Sequence, residues 1–331
     1  VIDWLTLRLS SEHVPAAAWD RIRDRAGRVM CLDSEGAVEW ESLRWASIRS
    51  DSHRVHVRAG AELEIVGSPA RAMSRHNVFG SSDVRECGAA MIQLVANGID
   101  VPLPAAGAPW RISRIDYAEN YHLGDAAAVR TALNWLRYAE GGRYRGRSAG
   151  TTLYWGQKSS HLSGKAYAKG DHQRHALKRG DCELDEAELA ACDGLLRLEL
   201  AYRRNYLREL DVWALTPEFL ERGHSDYFAP LIGSCEVRSM DASLLKRLET
   251  VAPTAGQALA AFRTAGLVAQ IGVETAAASM PVATWYRHRR LLLDAGLSLA
   301  DLRAGHVVPL RAQRLILGAP VRSFSELAHC A

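Results

Sequence analysis

Apolar residues fall along this chain in two rhythms. Strict alternation, the mark of a strand with one buried face, runs through Ile2–Leu9, Val38–Arg49, Arg54–Val66 and Trp110–Tyr117. It is clearest in Leu195–Tyr202, LLRLELAY. Two shorter β-prone runs, Thr151–Gly156 and Lys165–Lys169, flank a Ser-, Gly- and Lys-rich loop and read as a hairpin. Helical spacing marks Pro15–Arg25, a stretch from an N-cap at Ser81 or Ser82 to a closing Gly98, and Ala126–Glu140, ended by Gly141-Gly142. Residues 171–193 are polar and partly helical. This order predicts an α+β fold, a largely antiparallel sheet with helices on one face. After Trp213 the chain turns helix-rich, so a domain over 1–213 and a helical C-terminal region over 214–331 are expected.

Parity assigns the faces. Glu64 lies opposite Leu63 and Ile65, and Glu199 opposite Leu198 and Leu200; Asp116 shares a face with Ile112 and Arg114. Lys165, Tyr167 and Lys169 point one way, with Ala166 and Ala168 behind them. If these strands are neighbours, three carboxylates and a tyrosine converge on the uncovered side of the sheet. Carboxylate oxygens are natural ligands of Mg²⁺ or Mn²⁺, and such an ion polarises a phosphodiester for in-line attack. Lys169 would stabilise the developing charge. A phenol with an unperturbed pKa of about 10 needs help to attack at neutral pH, and flanking cations favour the phenolate. The same residues also fit a plain solvated sheet face, with Asp116 salt-bridged to Arg114 or Arg197. At this level both readings stand.

Composition narrows the partners. The net charge of the 331 residues is only +3, which gives no global argument for a polyanion. Distribution says more: of five lysines (158, 165, 169, 178, 246) three fall within Lys158–Lys169. Arginines cluster beside aromatics at Arg143–Arg147, Arg203–Arg208 and Arg287–Arg290, a mixture suited to phosphate contact and base stacking. Six cysteines without CxxC spacing read as free thiols of a reducing cytosol. The opening VIDWLTLRLS reads as a strand and not as a signal peptide. No run approaches the ~20 apolar residues of a membrane span. His53 and His56 face opposite sides of a predicted strand and are not read as a metal site. In the tail, residues 273–295 have the look of a helix-turn-helix whose second member carries TWYRHRR (284–290). That helix either lies on DNA or caps the region with Trp285 and Leu291–Leu293 inward.

Taken in order, SPARAMSRHNVFGSSD (68–83), ISRID (112–116), the Trp155, Ser159, His161, Ala166-Tyr167, Lys169 pattern and LLRLELAYRRNYL (195–207) resemble the gene II-type replication initiators of filamentous phages. ELEI (62–65) precedes the first block, and Pro281–Gly296 and VVPL (307–310) also look related. The resemblance implies a rolling-circle initiator acting in the cytoplasm of a bacterial host. Such a protein nicks one strand of a double-stranded origin, keeps the 5′ end as a phosphotyrosine, frees a 3′-OH and later rejoins the displaced strand. It implies Tyr167 as nucleophile with Lys169 beside it, and DNA contacts from Lys165, Arg197, Arg203, Arg204, Tyr206, His76 and His161. It also implies Mg²⁺ or Mn²⁺, DNA as substrate, and a host helicase and polymerase as partners. The wider tyrosine nickases it resembles have a five-stranded antiparallel sheet of ferredoxin-like type. Their paired-histidine metal motif is missing here, so Glu64, Asp116 and Glu199 are the expected ligands, with His76 or His161 as a further one. Tyr206 is a second nucleophile, a residue that stacks on a base, or one that packs under the sheet.

Two other classes compete. A non-catalytic DNA-binding regulator would grip an origin with the Arg-rich tail and the sheet. An RNA-binding sheet would carry aromatics on its open face, where this chain places acids and lysine.

Overall fold

The computed structural model describes the chain apart from residues 50–53, 138–139, 142–143, 234–235, 240–241, 298–310, 315–316 and 331. Strands β1 (Ile2–Ser10), β2 (Arg28–Leu32), β3 (Val38–Leu43), β4 (Ala46–Arg49), β5 (Arg54–Ala59), β6 (Glu62–Gly67) and β7 (Arg111–His122) come first. Then follow β8 (Glu140–Gly141), β9 (Tyr144–Arg145), β10 (Arg147–Ala149), β11 (Thr152–Trp155), β12 (Leu162–Ala168) and β13 (Leu195–Arg203). Nine of them form one antiparallel sheet in the order β10-β11-β12-β13-β7-β1-β6-β5-β4. The expected α+β, largely antiparallel architecture is present, with a sheet wider than the five strands the resemblance implies.

The alternation read from sequence is what closes the core. Leu5, Leu7, Leu9, Leu63, Ile65, Ile115, Leu196, Leu198 and Leu200 all lie on one face at 0% exposure. A fully buried side chain of this kind contributes about 1.5–3 kcal/mol. Four helices cover this face: α1 (Ala16–Arg25), α3 (Val84–Ile99), α4 (Ala126–Leu136) and α8 (Pro217–Gly233). The short α2 (Pro69–Met73), α5 (Lys169–Lys178), α6 (Glu186–Ala191) and α7 (Arg204–Leu207) complete this part of the chain.

Several local expectations are corrected. Val38–Arg49 and Arg54–Val66 are each two strands; β2 and β3 pair only with one another, and β5 turns at Gly60 into β6. The cap of α3 is Asp83, which accepts the Glu86 N–H at 2.8 Å. Gly98 is an interior residue of α3, required because a Cβ there would lie 2.3 Å from Ile48 Cγ2; packing against β4 fixes that glycine. Lys169 is not on a strand, since β12 ends at Ala168 and α5 begins at Lys169.

The chain divides into two compact units, Val1–Cys235 with Leu315–Ala331, and Glu236–Arg314. The first unit therefore runs past Trp213. Helix α8 belongs to it because Leu220, Phe228 and Leu231 join the main core and the imidazole of His224 is held between Leu198 O (3.1 Å) and the Glu119 carboxylate (3.2 Å). The second unit holds α9 (Ala242–Val251), α10 (Ala255–Ile271), α11 (Val273–Ala278), α12 (Val282–Asp294) and a two-stranded pair, β14 (Glu236–Ser239) with β15 (Arg311–Arg314). Helix α12 is two-faced. His288, bonded to Thr264 at 2.7 Å, and Leu291 and Leu292 are buried. Tyr286, Arg287 and Arg290 are exposed.

Candidate functional site

The register sets the polar face of the first unit. Lys165 pairs with Glu199 and Tyr167 with Arg197 across β12 and β13. Arg197 then faces Asn120, Ala201 faces Asp116 and Arg203 faces Arg114 on β7, and Trp4 faces Asp116 on β1. Glu64, Asp116, Tyr167 and Glu199 thus share one face, as parity required. That face is only partly open. Around Tyr167 it is roofed by a second small apolar cluster, with Val78, Phe79, Cys192, Leu195, Val321 and Leu327 buried together.

Tyr167 is 5% exposed. Its hydroxyl donates to Glu199 Oε1, and the other Glu199 oxygen takes the Lys165 ammonium. The ammonium groups of Lys165 and Lys169 lie 5.4 and 6.0 Å from the phenol ring centre. Burial, then the charge of Glu199, pushes the Tyr167 pKa well above its ordinary value against the opposing pull of Arg197. The expectation that flanking lysines supply a resting phenolate is therefore corrected: the cations are outweighed by burial and by the carboxylate. What stands ready is a phenol hydrogen-bonded to a base. Burial also raises Glu199, with Lys165 opposing, and a carboxylate in that condition takes a proton readily.

Lys169 is fully buried and donates to Asn77 Oδ1 at 3.1 Å. Burial, reinforced by Arg197, drives its pKa well below the ordinary value, so it is less able to act as the charge-stabilising cation expected of it. Arg197 is corrected more completely. It is 0% exposed, and its guanidinium bonds Asn120 Oδ1 (2.8 Å), Asp3 Oδ1 (3.1 Å) and the Val78 carbonyl. Burial opposes ionisation of Asp3, but Arg197 and Lys169 hold its carboxyl well below the usual range. Arg197 is a tie inside the protein and has no free face for DNA. Asp3, Asn77 and Asn120 were not singled out from sequence; the signal for Asp3 was an acid near the start of the alternating opening strand, and the structure places it at a register shift between Ile2 and Trp4.

The three expected metal ligands do not form one set. Strand β1 separates β6 from β7, so Glu64 stands two strands from Asp116 and three from Glu199. Glu64 is gripped by Arg8 (2.6 Å) and Arg58 (2.5 Å), the latter stacked on Trp45 at 4.5 Å. Asp116 accepts from Nε and Nη2 of Arg114, each at 2.7 Å, the pairing that sequence had left open. Among the described residues no three His, Cys, Asp or Glu side chains gather as a metal-holding group. His76 accepts the Val78 N–H at 3.3 Å and packs on Phe324. His161 is exposed beside Ser160.

Of the other DNA-contact candidates, Lys165 is committed to Glu199. Arg203 donates to Ser163 at 3.1 Å, and Arg204 is exposed. Tyr206 packs against Tyr202, ring centres 5.5 Å apart, on the helix-covered side, away from Tyr167. That is where a packing tyrosine sits, and the sheet separates it from the Tyr167 site. Arg143, His53 and the VVPL segment at 307–310 lie outside the described residues. Cys31, Cys87, Cys182 and Cys192 are free thiols, and no described helix is long and apolar enough to cross a membrane.

With residues 1–222 matched by the N-terminal model of the phage replication-associated protein family, the gene II product, the chain belongs to that family. It is 27% identical over 232 residues to the replication-associated protein of Enterobacteria phage I2-2, covering 64% of this chain and 65% of that one. It is 23% identical over 298 residues to the protein of the same name from Enterobacteria phage M13, covering 75% and 73%. The chain thus spans about 65% of the length of the I2-2 protein. Among solved structures, a rolling circle replication initiator protein from Geobacillus stearothermophilus aligns over 72% of this chain and 87% of that one, at 12% identity and a TM-score of 0.31.

Proposed function

We propose that the chain is a site-specific DNA nicking and joining enzyme that starts rolling-circle replication at a phage-type or plasmid origin in a bacterial host. The observation that carries this reading is the Tyr167 hydroxyl held on a buried glutamate whose second oxygen is held by a lysine, in a member of the phage replication-associated protein family. Tyr167 Oη attacks the phosphorus and its proton passes to Glu199. The new bond is Oη–P, the bond broken is P–O3′, and the leaving oxygen takes up a proton as the strand's free 3′-OH. The 5′ end stays as a phosphotyrosine ester, so the reverse transfer to an incoming 3′-OH rejoins the strand without a further energy source. Lys165, released from Glu199 as that group is protonated, is placed to meet the phosphate, with Arg203 beside it. The free 3′-OH would prime a host polymerase behind a host helicase. The expected Mg²⁺ or Mn²⁺ does not fit Glu64, Asp116 and Glu199 as one ligand set.

The test is an adduct assay with single strands from the replicon's intergenic region, run with Mg²⁺, with Mn²⁺ and with EDTA, which also reads directly whether an ion is needed. An SDS-stable protein–DNA band that disappears in Tyr167→Phe supports the reading. A band that persists in Tyr167→Phe and is lost in Tyr206→Phe moves the nucleophile. A second reading, an origin-binding regulator without chemistry, draws on the 5% exposure of Tyr167; tight origin binding with no band under any condition would favour it.

A further inference from the structure

Away from Tyr167, at the end of the sheet where β7 begins and β13 passes into α7, lies a cavity of about 490 Å³. Its rim carries Arg8, Arg111, Arg204 and Arg208 against a single carboxylate, Asp211. Its floor is apolar, made by Ile112, Leu207, Leu210, Val212 and the edges of Trp110 and Trp213. The size lies within the ~300–1,000 Å³ of small-ligand sites. A ring of guanidinium groups over an apolar floor matches a nucleotide, with phosphate on the rim and a base against the floor.

The arginines are not equally spent. Arg8 and Arg111 bind Glu62, and Arg8 also donates to Ser113 at 3.1 Å. Among the described residues, Arg208 pairs only with its exposed neighbour Glu209, at 3.2 Å, a pairing worth little in water. Arg204 is exposed and makes no ion pair among the described residues. Both sit at α7, which is pinned in place: Asn205 bonds Ser160 through its backbone N–H (3.2 Å) and its side chain (2.9 Å). The rim is therefore positioned and under-neutralised.

The cavity is also in line with the reactive tyrosine. From Arg197, opposite Tyr167, to Arg203, beside α7, is six residues of β13, roughly 20 Å at strand rise. Lys165, Arg203 and Arg114 mark the polar face along that way. A strand stacked as in a duplex advances about 3.4 Å per nucleotide, so about six nucleotides reach from the attacked phosphate to Arg203, next to Arg204 at the near side of the cavity. We infer that this cavity is a second DNA subsite, which takes one unpaired nucleotide of the strand being cut and sets its register on the sheet. The inference deepens the nicking reading, on which it rests for the identity of the ligand.

Binding in the Tyr167→Phe protein tests it without any covalent step. An oligo-dT length series, followed by fluorescence anisotropy, is expected to gain affinity in a step as the strand becomes long enough to reach α7. Arg204→Ala/Arg208→Ala, two exposed changes, should abolish the step, lower affinity at least about tenfold and reduce the salt slope by about 2. Arg130→Ala, exposed on the helical side, should do neither. In parallel, an oligonucleotide of about 20 residues carrying 5-iododeoxyuridine, long enough to span the ~20 Å path, should photocrosslink within 204–213 or 110–113. Wild-type affinity in the double variant, or crosslinks confined to other segments, overturns the subsite. Because no adduct is read, a failed nicking assay would leave these results standing, and their failure would leave Tyr167 chemistry untouched.

Discussion

Glu199 and Glu64 stand on the same face of the same sheet, both nearly buried, both bound to cations, and they are built for opposite ends. Glu64 lies between two guanidinium groups, Arg8 and Arg58, one on each of its oxygens. Glu199 has one ammonium and one phenol. The first arrangement is a closed ion-pair network that leaves the carboxylate no oxygen free for another group. The second leaves a carboxylate short of positive charge and in contact with a proton donor. A buried acid is idle or active according to what fills its second bonding position.

The largest separation should appear in chemistry. Glu199→Gln is expected to slow adduct formation by about 10²–10⁴-fold, the usual worth of a positioned base, while Glu64→Gln stays within about threefold; single-turnover gels measure both. Adduct formation by the wild type should also rise with pH through a value above the ordinary carboxylate range, because Glu199 must be unprotonated and its pKa is raised. Glu199→Gln should lose that limb, and an unchanged profile would remove Glu199 as the base.

Stability should invert the order. Arg197→Met strips Asp3 and Asn120 of their partner and should cost about 3–5 kcal/mol in urea unfolding. Glu64→Gln should cost about 1–3 kcal/mol by leaving two arginines against a neutral amide. Glu199→Gln should change stability by less than about 1 kcal/mol, since burying the carboxylate was itself unfavourable.

The smallest effect extends the comparison to the helical side. Burial pushes the Glu119 carboxyl up, but hydrogen bonds from His224, Tyr121 and Tyr117 overcome it and hold its pKa at about 2. Its folded pKa is below its unfolded one, so its contribution is present above the ordinary value of 4.5 and is lost as pH falls toward about 2. Glu119→Gln should flatten that part of an acid-unfolding curve.

Parity in the sequence placed Glu64, Asp116, Tyr167 and Glu199 on one face, because alternation is local and each strand carries its own record of it. It could not place Glu64 away from the others. Strand order is long-range, and nothing within ELEIVG says that β1, made far earlier in the chain, will lie between it and ISRID. Arg197 misled for a related reason: its parity is that of a surface residue, and cover from distant segments, among them Val78, whose carbonyl it bonds, buries it. Lys169 was one position too far, since the switch from β12 to α5 falls on it. The family strings singled out Tyr167 among the polar residues while leaving its protonation to geometry.

The tie between Arg197 and Asp3 joins residues 194 positions apart. On a ribosome adding about 5–20 residues per second, the opening strand therefore waits roughly 10–40 s for the cation that matches its acid. Strand β1 is central in the sheet, with β6 and β7 on its two sides, yet it precedes every other strand of that sheet in the chain and its acid is matched by one of the later ones. A nascent chain that stops short of β13 carries the Asp3 carboxylate in β1 without the guanidinium that bonds it.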